Sequence, residues 1–294
     1  MRIGIVGAGN VGQAIGKAFN SFGCEVTFMD IDTFKIKLLK EDSYRAITSL
    51  PKTCENSDLI FITVPTPTKA GDFDYSIVKD ALTSIKKCNY KGYICIKSTV
   101  LPGTTRDICE SIGLDRSKVF VNPEFLREKT ALQDFINQKF IVIGTFSKGC
   151  ETDIVNFYEL FFKCPISIMS IEEAEFTKYL SNVFLSMKIS FWNEMGRIID
   201  IFNKQNGHKS DASRIAKILS LDPRIGEYGT YNIGKGFALA CLPKDIIAFS
   251  SLLRKNGIYS PFVEQIIVVN NMTPEGKKAI KKVVGASLEE LMFV

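Results

Sequence analysis

The 294-residue chain has one histidine, His208, and one tryptophan, Trp192. A lone imidazole in the polar stretch KQNGHKSD leaves no material for a Ser-His-Asp triad or a histidine metal site. The eight cysteines are Cys24, Cys54, Cys88, Cys95, Cys109, Cys150, Cys164 and Cys241. None forms a C-x-x-C pair and no short spacing repeats, which argues against a metal framework or a disulfide scaffold. No metal is expected, and eight thiols without a framework suit a reducing cytoplasm. No apolar run approaches the roughly 18 residues of a membrane span. The opening MRIGIVGAGN runs straight into folded sequence without a signal-like segment. Clustered basic residues and aromatic-basic alternation are also missing, and the net charge is only +5. A cytoplasmic protein with no membrane and no nucleic acid among its partners is expected.

What is present is an alternation of short apolar runs and helical periodicity. Arg2 to Val6 reads as a buried strand. Gly7-Ala8-Gly9-Asn10-Val11-Gly12 is G-x-G-x-x-G, a helical pattern follows to Phe22, and Glu25 to Met29 reads as the next strand with Asp30 at its end. Gly7 permits the tight turn, Gly9 lets a pyrophosphate approach the backbone, and Gly12 lets helix pack on strand. The helix start offers free N–H groups to phosphate. Asp30 is placed for a ribose 2′-hydroxyl, which favours NAD over NADP. Asp32 is a second carboxylate nearby, and Lys35 is a candidate for a phosphate or adenosine hydroxyl. Further strands are predicted in LIFITVPTP, GYICIKSTV, KVFVNPEF, KFIVIGT and PISIMS. Together they predict an α/β, Rossmann-like doubly wound parallel sheet over residues 1–170. Ligands bind at the carboxyl ends of such strands. That rule selects Thr66, Thr99, Glu124 and Glu128, although a threonine there also serves as an ordinary turn or cap residue.

From Ile171 to Asn206 there is no proline, and the pattern predicts one helix about 50 Å long. It opens an all-α second domain over residues 171–294. Apolar residues lie nearly all round it, so it is expected to be buried in a core or an interface. A homodimer through this helix is expected. One polar stripe survives: Lys178, Asn182, Ser186 and Asn193 fall within about 80° of arc. Lys178 and Asn182 sit one turn apart, suited to hold a substrate oxygen; a lysine that snorkels to solvent is the alternative. A glycine-rich loop, LDPRIGEYGTYNIGKGFALACLPKD, follows, with Arg224 available for an anionic ligand. Cys241 lies at or before the start of a last helical region, where the dipole favours a thiolate. Taken alone, a lone cysteine such as Cys241 is more often a buried filler than a nucleophile.

GAGNVG, VPTPT, KSTVLPGTT, NPEFLRE with ALQDF, KYLSNVFLSMKISFWNE, DPRIG and CLPKD occur in this order. On these motifs the chain resembles the UDP-glucose/GDP-mannose dehydrogenase family. The resemblance implies NAD-dependent oxidation of a nucleotide sugar, UDP-glucose foremost, at its C6 alcohol to the acid, with two NAD reduced. It implies Cys241 as nucleophile, Lys178 and Asn182 on the C6 oxygen, Asp245 near the thiol, and Thr99, Glu124 and Glu128 in the water and cofactor network. Cofactor contacts are implied at Gly7, Gly9, Asn10, Val11, Gly12, Asp30, Lys35, Thr66, Thr99 and Glu128. Substrate contacts are implied at Glu124, Phe125, Leu126, Lys178, Asn182, Arg224, Tyr231, Asn232 and Gly236. Two departures stand out. Ala238-Leu239 replaces a Gly-Gly pair usual before the cysteine, and the sequence ends where the family carries a C-terminal nucleotide-binding domain, which is expected to be absent. A two-domain β-hydroxyacid dehydrogenase and an NAD-binding homologue without turnover are the alternatives. NPEFLRE, Cys241 and CLPKD have no task in the first, nor has the set Lys178, Asn182, Cys241 and Asp245 in the second.

Overall fold

The computed structural model describes residues 1–69, 71–146, 151–238 and 241–285. The chain divides into two compact units, residues Met1–Thr66 with Tyr75–Lys178, and Pro67–Asp74 with the chain from Tyr179 onward. Among the described residues the strands are β1 (Arg2–Val6), β2 (Glu25–Met29), β3 (Ala46–Ile47), β4 (Leu59–Ile62), β5 (Thr68–Lys69), β6 (Asp72–Phe73), β7 (Tyr93–Ile96), β8 (Val119–Val121), β9 (Ile141–Thr145) and β10 (Ile166–Ser170). The helices of the first unit are α1 (Asn10–Ser21), α2 (Thr33–Glu41), α3 (Leu50–Glu55), α4 (Ser76–Lys87), α5 (Thr104–Ile112), α6 (Ala131–Ile136) and α7 (Glu151–Glu159).

The first unit is an open sheet in the order β10-β9-β8-β7-β4-β1-β2-β3. β1, β2, β3, β4, β7 and β8 run parallel. β9 turns against β8, and β10 follows β9. The sheet is thus the predicted doubly wound one with a reversed edge. Its central strands bury both faces, which is why LIFI and YICI are unbroken apolar runs. One face is sealed by an aromatic cluster. The Phe19 ring of α1 lies 5.3–5.5 Å from the rings of Phe61, Phe135, Phe157 and Phe161. α1 reaches that position because Gly16 has no side chain; a Cβ there would stand 2.3 Å from the Phe28 ring.

α8 (Ile171–Asn206) is the long helix expected over about this stretch. It begins in the first unit and continues into the second. The second unit adds α9 (Ala212–Leu219), α10 (Cys241–Lys255), α11 (Pro261–Asn271) and α12 (Pro274–Val284). Ser260 and Thr273 cap α11 and α12, each with proline in the first turn. The short β5–β6 hairpin also belongs here. Asp72 accepts hydrogen bonds from Ser251 and pairs with Lys255 of α10. Among the described residues, no helix is long and apolar enough to cross a membrane.

Glu175 ties the start of α8 to α5. Its carboxylate accepts from the amides of Gly103 (2.6 Å) and Thr105 (3.0 Å), groups left open at the α5 N-terminus. Burial pushes this carboxyl up to about 7 from its ordinary 4.5, against the pull of those donors. A carboxyl raised on folding is protonated preferentially in the folded state. Its stabilisation is therefore complete below pH about 4.5 and is lost as pH rises through about 7. Chemical unfolding of the wild type should show a loss of up to about 3 kcal/mol over that window. Glu175→Gln should lack this slope; an unchanged pH dependence contradicts the assignment.

Candidate active site

The glycine turn after β1 has the geometry of a phosphate cradle. Gly7 sits at φ +101°, and a Cβ on it would stand 2.7 Å from the carbonyl of Thr63. A Cβ on Gly12 would stand 2.0 Å from the Gly7 carbonyl oxygen, so α1 packs only over a hydrogen. A Cβ on Gly9 would meet nothing within 4 Å. The α1 N-cap at Gly9 has no side-chain hydrogen bond, and a helix N-terminus is a ready site for phosphate. These features fit a dinucleotide. Asn10 and Val11 open α1, and the Asn10 amide lies 3.3 Å from Glu128, which opens a short 3-10 turn. Asp30 is buried, accepting from the Ala8 amide (2.7 Å) and the Asp32 amide (2.9 Å), with Lys35 at 3.4 Å. The acid thus locks the turn to the end of β2. Asp32, the second carboxylate nearby, caps α2 by accepting from the Phe34 and Lys35 amides. Thr66 is buried after β4 and Thr99 half-buried after β7.

Glu124 follows β8 and meets Lys178 of α8 at 3.0 Å. Its other oxygen accepts from the Leu126 amide at 2.7 Å, and the Lys178 ammonium lies 5.6 Å from the Phe125 ring centroid. Lys178 is 6% exposed, so it does not snorkel. One turn along α8, in the second unit, Asn182 donates to Asp245 at 2.6 Å, and both are buried. Lys244 also contacts the Asp245 carboxylate. Glu175, Lys178, Asn182, Ser186, Ser190 and Asn193 form one buried polar stripe. Ser186 Oγ and Asn193 Oδ1 have no hydrogen-bond partner among the described residues. The opposite face carries Leu180, Phe184, Phe191, Ile198, Ile201 and Phe202, all exposed in the single chain.

Cys241 is exposed and is the first residue of α10, at the positive end of the helix and one turn before Asp245. The loop before it is held from α11. The Phe237 amide donates to Asn270 Oδ1 (2.8 Å), and Asn270 Nδ2 donates back to the Phe237 carbonyl (3.1 Å). Gly236 sits at φ +72° against this clamp, with no room for a Cβ beside Thr273 and Asn270. Ala238 is exposed, and Leu239 lies outside the described residues. Asn232 donates to the Gly236 carbonyl at 3.3 Å and Tyr231 is exposed. Arg224 is bound to Asp222 at 2.6 Å at the surface, in a loop that Lys188 of α8 anchors through the Ile225 carbonyl. The motifs did not point to Asn270 or Lys188. Neither has a local signature that separates it from the polar residues beside it, and only distant backbone partners, Phe237 and Ile225, give them a task.

Residues 1–46 and 39–162 match the NAD binding domain of the UDP-glucose/GDP-mannose dehydrogenase family, and residues 172–272 match its central domain. The chain is 33% identical over 299 residues to a UDP-glucose 6-dehydrogenase of Rickettsia conorii, covering 93% of this chain and 67% of that protein. Among solved structures, a UDP-glucose dehydrogenase from Pyrobaculum islandicum superposes with a TM-score of 0.80 at 28% identity, covering 92% of this chain and 68% of the other. A GDP-mannose dehydrogenase from Pseudomonas aeruginosa gives 0.69 at 26% identity, covering 97% and 71%. The chain thus spans about two thirds of the length of each relative.

Two substitutions separate space for a ligand from space for the fold. Gly9→Val should leave the melting temperature nearly unchanged and abolish NAD binding in calorimetry, whereas Gly12→Val should unfold the first unit. Equal NAD affinity in Gly9→Val contradicts the cradle. Asn270→Ala leaves two buried backbone groups of Phe237 unpaired. It should cost about 2 kcal/mol in unfolding experiments and speed hydrogen exchange at the Phe237 amide.

Proposed function

The chain belongs to the UDP-glucose/GDP-mannose dehydrogenase family, and we propose that it oxidises the C6 alcohol of a nucleotide sugar, UDP-glucose foremost, to the carboxylate. The observation that carries this reading is the pairing of Lys178 with Glu124 and of Asn182 with Asp245 on one buried helical stripe, with Cys241 one turn from Asp245. A substrate-binding module has no use for a buried ion pair, a buried amide–acid pair and a thiol at a helix start. Each is costly to bury or to keep reactive, and each suits a step of a four-electron oxidation.

NAD, when bound, supplies the hydride acceptor for both oxidations, and Gly7, Gly9, Gly12, Asp30 and the α1 N-terminus would hold it. The protein's own groups do the rest. Lys178 and Asn182 stabilise the negative charge that grows on the C6 oxygen as its proton leaves. Their partners Glu124 and Asp245 fix both donors in position before the reaction, so little reorganisation is needed. The aldehyde formed first has no tetrahedral carbon from which to lose a second hydride. The Cys241 sulfur forms a bond to C6 while the carbonyl oxygen takes a proton, giving a thiohemiacetal. Loss of the second hydride from C6, with the hydroxyl proton passing to water, leaves a thioester. A water that gives its proton to Glu124 or Asp245 attacks that carbonyl, the C–S bond breaks, and the acid and the thiol are released. Thr99 and Glu128 complete the water and cofactor network. Phe125, Leu126, Tyr231, Asn232, Gly236 and Arg224 contact the nucleotide sugar in this reading. A reducing cytoplasm suits an enzyme whose reactive group is a thiol.

The exposed apolar face of α8 supports a homodimer through that helix. Leu180, Phe184, Phe191, Ile198 and Phe202 together form a large apolar patch, and such a patch on a soluble protein marks an interaction site.

The reading predicts two NADH per molecule of UDP-glucose consumed, and no uronate product from Cys241→Ser. Lys178→Ala should lower kcat by about 10²–10³-fold. One NADH with a small hydroxyacid and none with a nucleotide sugar points instead to a β-hydroxyacid dehydrogenase. NAD binding without turnover on any of these substrates refutes the enzymatic reading. For the dimer, sedimentation should give twice the chain mass for the wild type and a single chain for Phe184→Glu; a monomeric wild type contradicts it.

A further inference from the structure

Lys97 has no part in the assignments above. It follows β7 directly and is 2% exposed. Its ammonium donates to Asn122 Oδ1 at 2.8 Å and points at the Pro123 carbonyl at 3.5 Å, with the Phe135 ring centroid 5.4 Å away. Asn122 is itself locked. Its amide donates to the Val142 carbonyl at 2.7 Å, and the Tyr158 hydroxyl donates to its Oδ1 at 2.6 Å. The segment that Lys97 grips is therefore Asn122-Pro123, which leads directly into Glu124. A buried ammonium is costly, and a strand end needs none for packing.

The titratable groups facing Lys97 are Cys95 on its own strand, Glu124 after β8 and Lys178 on α8, with Tyr158 of α7 joined through Asn122. Burial pushes the Lys97 amine down to about 8; Cys95 and Glu124 pull it up, and Lys178 pushes it further down. Burial also pushes the Cys95 thiol up to about 12 and the Tyr158 phenol well above its ordinary value. Both stay neutral where Lys97 titrates, which leaves Glu124 as the acid it senses.

We propose that Lys97 is a positioning residue for the Glu124–Lys178 pair: it clamps the Asn122-Pro123 turn that presents Glu124, and its charge sets the alkaline limit of the reaction. The inference rests on the dehydrogenase reading for its kinetic consequence, not for the coupling between Lys97 and Glu124. Hydrogen bonds from a charged donor are about twice as strong as neutral ones, so the grip weakens as the ammonium loses its proton.

Two experiments decide it. The first measures kcat between about pH 6 and 10 for the wild type, Lys97→Gln and Lys97→Met. Wild-type kcat should fall above pH about 8. The variants should lose about 10- to 100-fold in kcat, as misplacement of a reacting group does, with NAD affinity within about twofold and no fall centred near pH 8. Folded variants that keep the wild-type kcat and the same alkaline fall overturn the proposal. So does failure of both variants to fold, which would make Lys97 a structural residue only. The second experiment follows the Lys97 ¹³Cε resonance with pH in the NAD complex. Glu124→Gln removes the acid that raises the amine, so the Lys97 midpoint should drop by about one pH unit. An unmoved midpoint overturns the coupling. A wild type that oxidises no nucleotide sugar refutes the dehydrogenase reading, and the resonance measurement still decides the proposal.

Discussion

A buried ammonium is costly, and the ion pair that relieves this cost at Lys178, with Glu124, is the constraint on which the rest depends. Lys178 lies on a helix that is apolar over most of its circumference. The usual outcome for such a helix is to hide its apolar side and leave the polar stripe in water. Here the stripe from Glu175 to Asn193 is buried and Leu180, Phe184 and Phe191 are exposed. Partners meet the stripe at three points, which lowers the cost of that orientation: the α5 amides at Glu175, Glu124 at Lys178 and Asp245 at Asn182. Removing one partner would strand a buried charge or amide at a cost of several kcal/mol, so the stripe and its partners stand or fall together.

The same logic governs the loop before Cys241. A glycine-rich segment has much conformational entropy to lose. Asn270 supplies order by pairing both backbone groups of Phe237. The exposed thiol thus begins a helix whose approach is pinned four residues earlier. Asp245, one turn later, is pinned by Asn182. Hydrogen bonds to buried amides thus add to the apolar packing of α10, where Ile246, Ile247 and Phe249 are buried.

Features carried by local periodicity were legible in the sequence. α8 is found from Ile171 to Asn206 as predicted, because absence of proline and a continuous helical pattern are local properties. The G-x-G-x-x-G turn and seven of the eight strands of the sheet were legible for the same reason; the two-residue β3 was not. Other features depend on partners far away in sequence. Asn122 and Lys97 are 25 residues apart, and Phe237 and Asn270 are 33 apart. No spacing rule predicts such pairs. Only the odd placement of a lysine at the end of the apolar run YICI hinted at Lys97. The reversal of β9 and the β5–β6 hairpin were hidden too, since short strands carry no direction and two-residue strands carry no period. The cap that Asp32 makes on α2 is a local pattern that the reading of the G-x-G-x-x-G unit passed over.

The central claim is that the Glu124–Lys178 and Asn182–Asp245 pairs serve one reaction. A double-mutant cycle in kcat/KM for nucleotide-sugar oxidation tests it most directly, using Glu124→Gln, Asp245→Asn and the double variant. Groups that act as a unit are strongly non-additive. The account predicts that the double variant is little worse than the poorer single variant. Losses that multiply, with the double variant falling by the product of the two single effects, would contradict it.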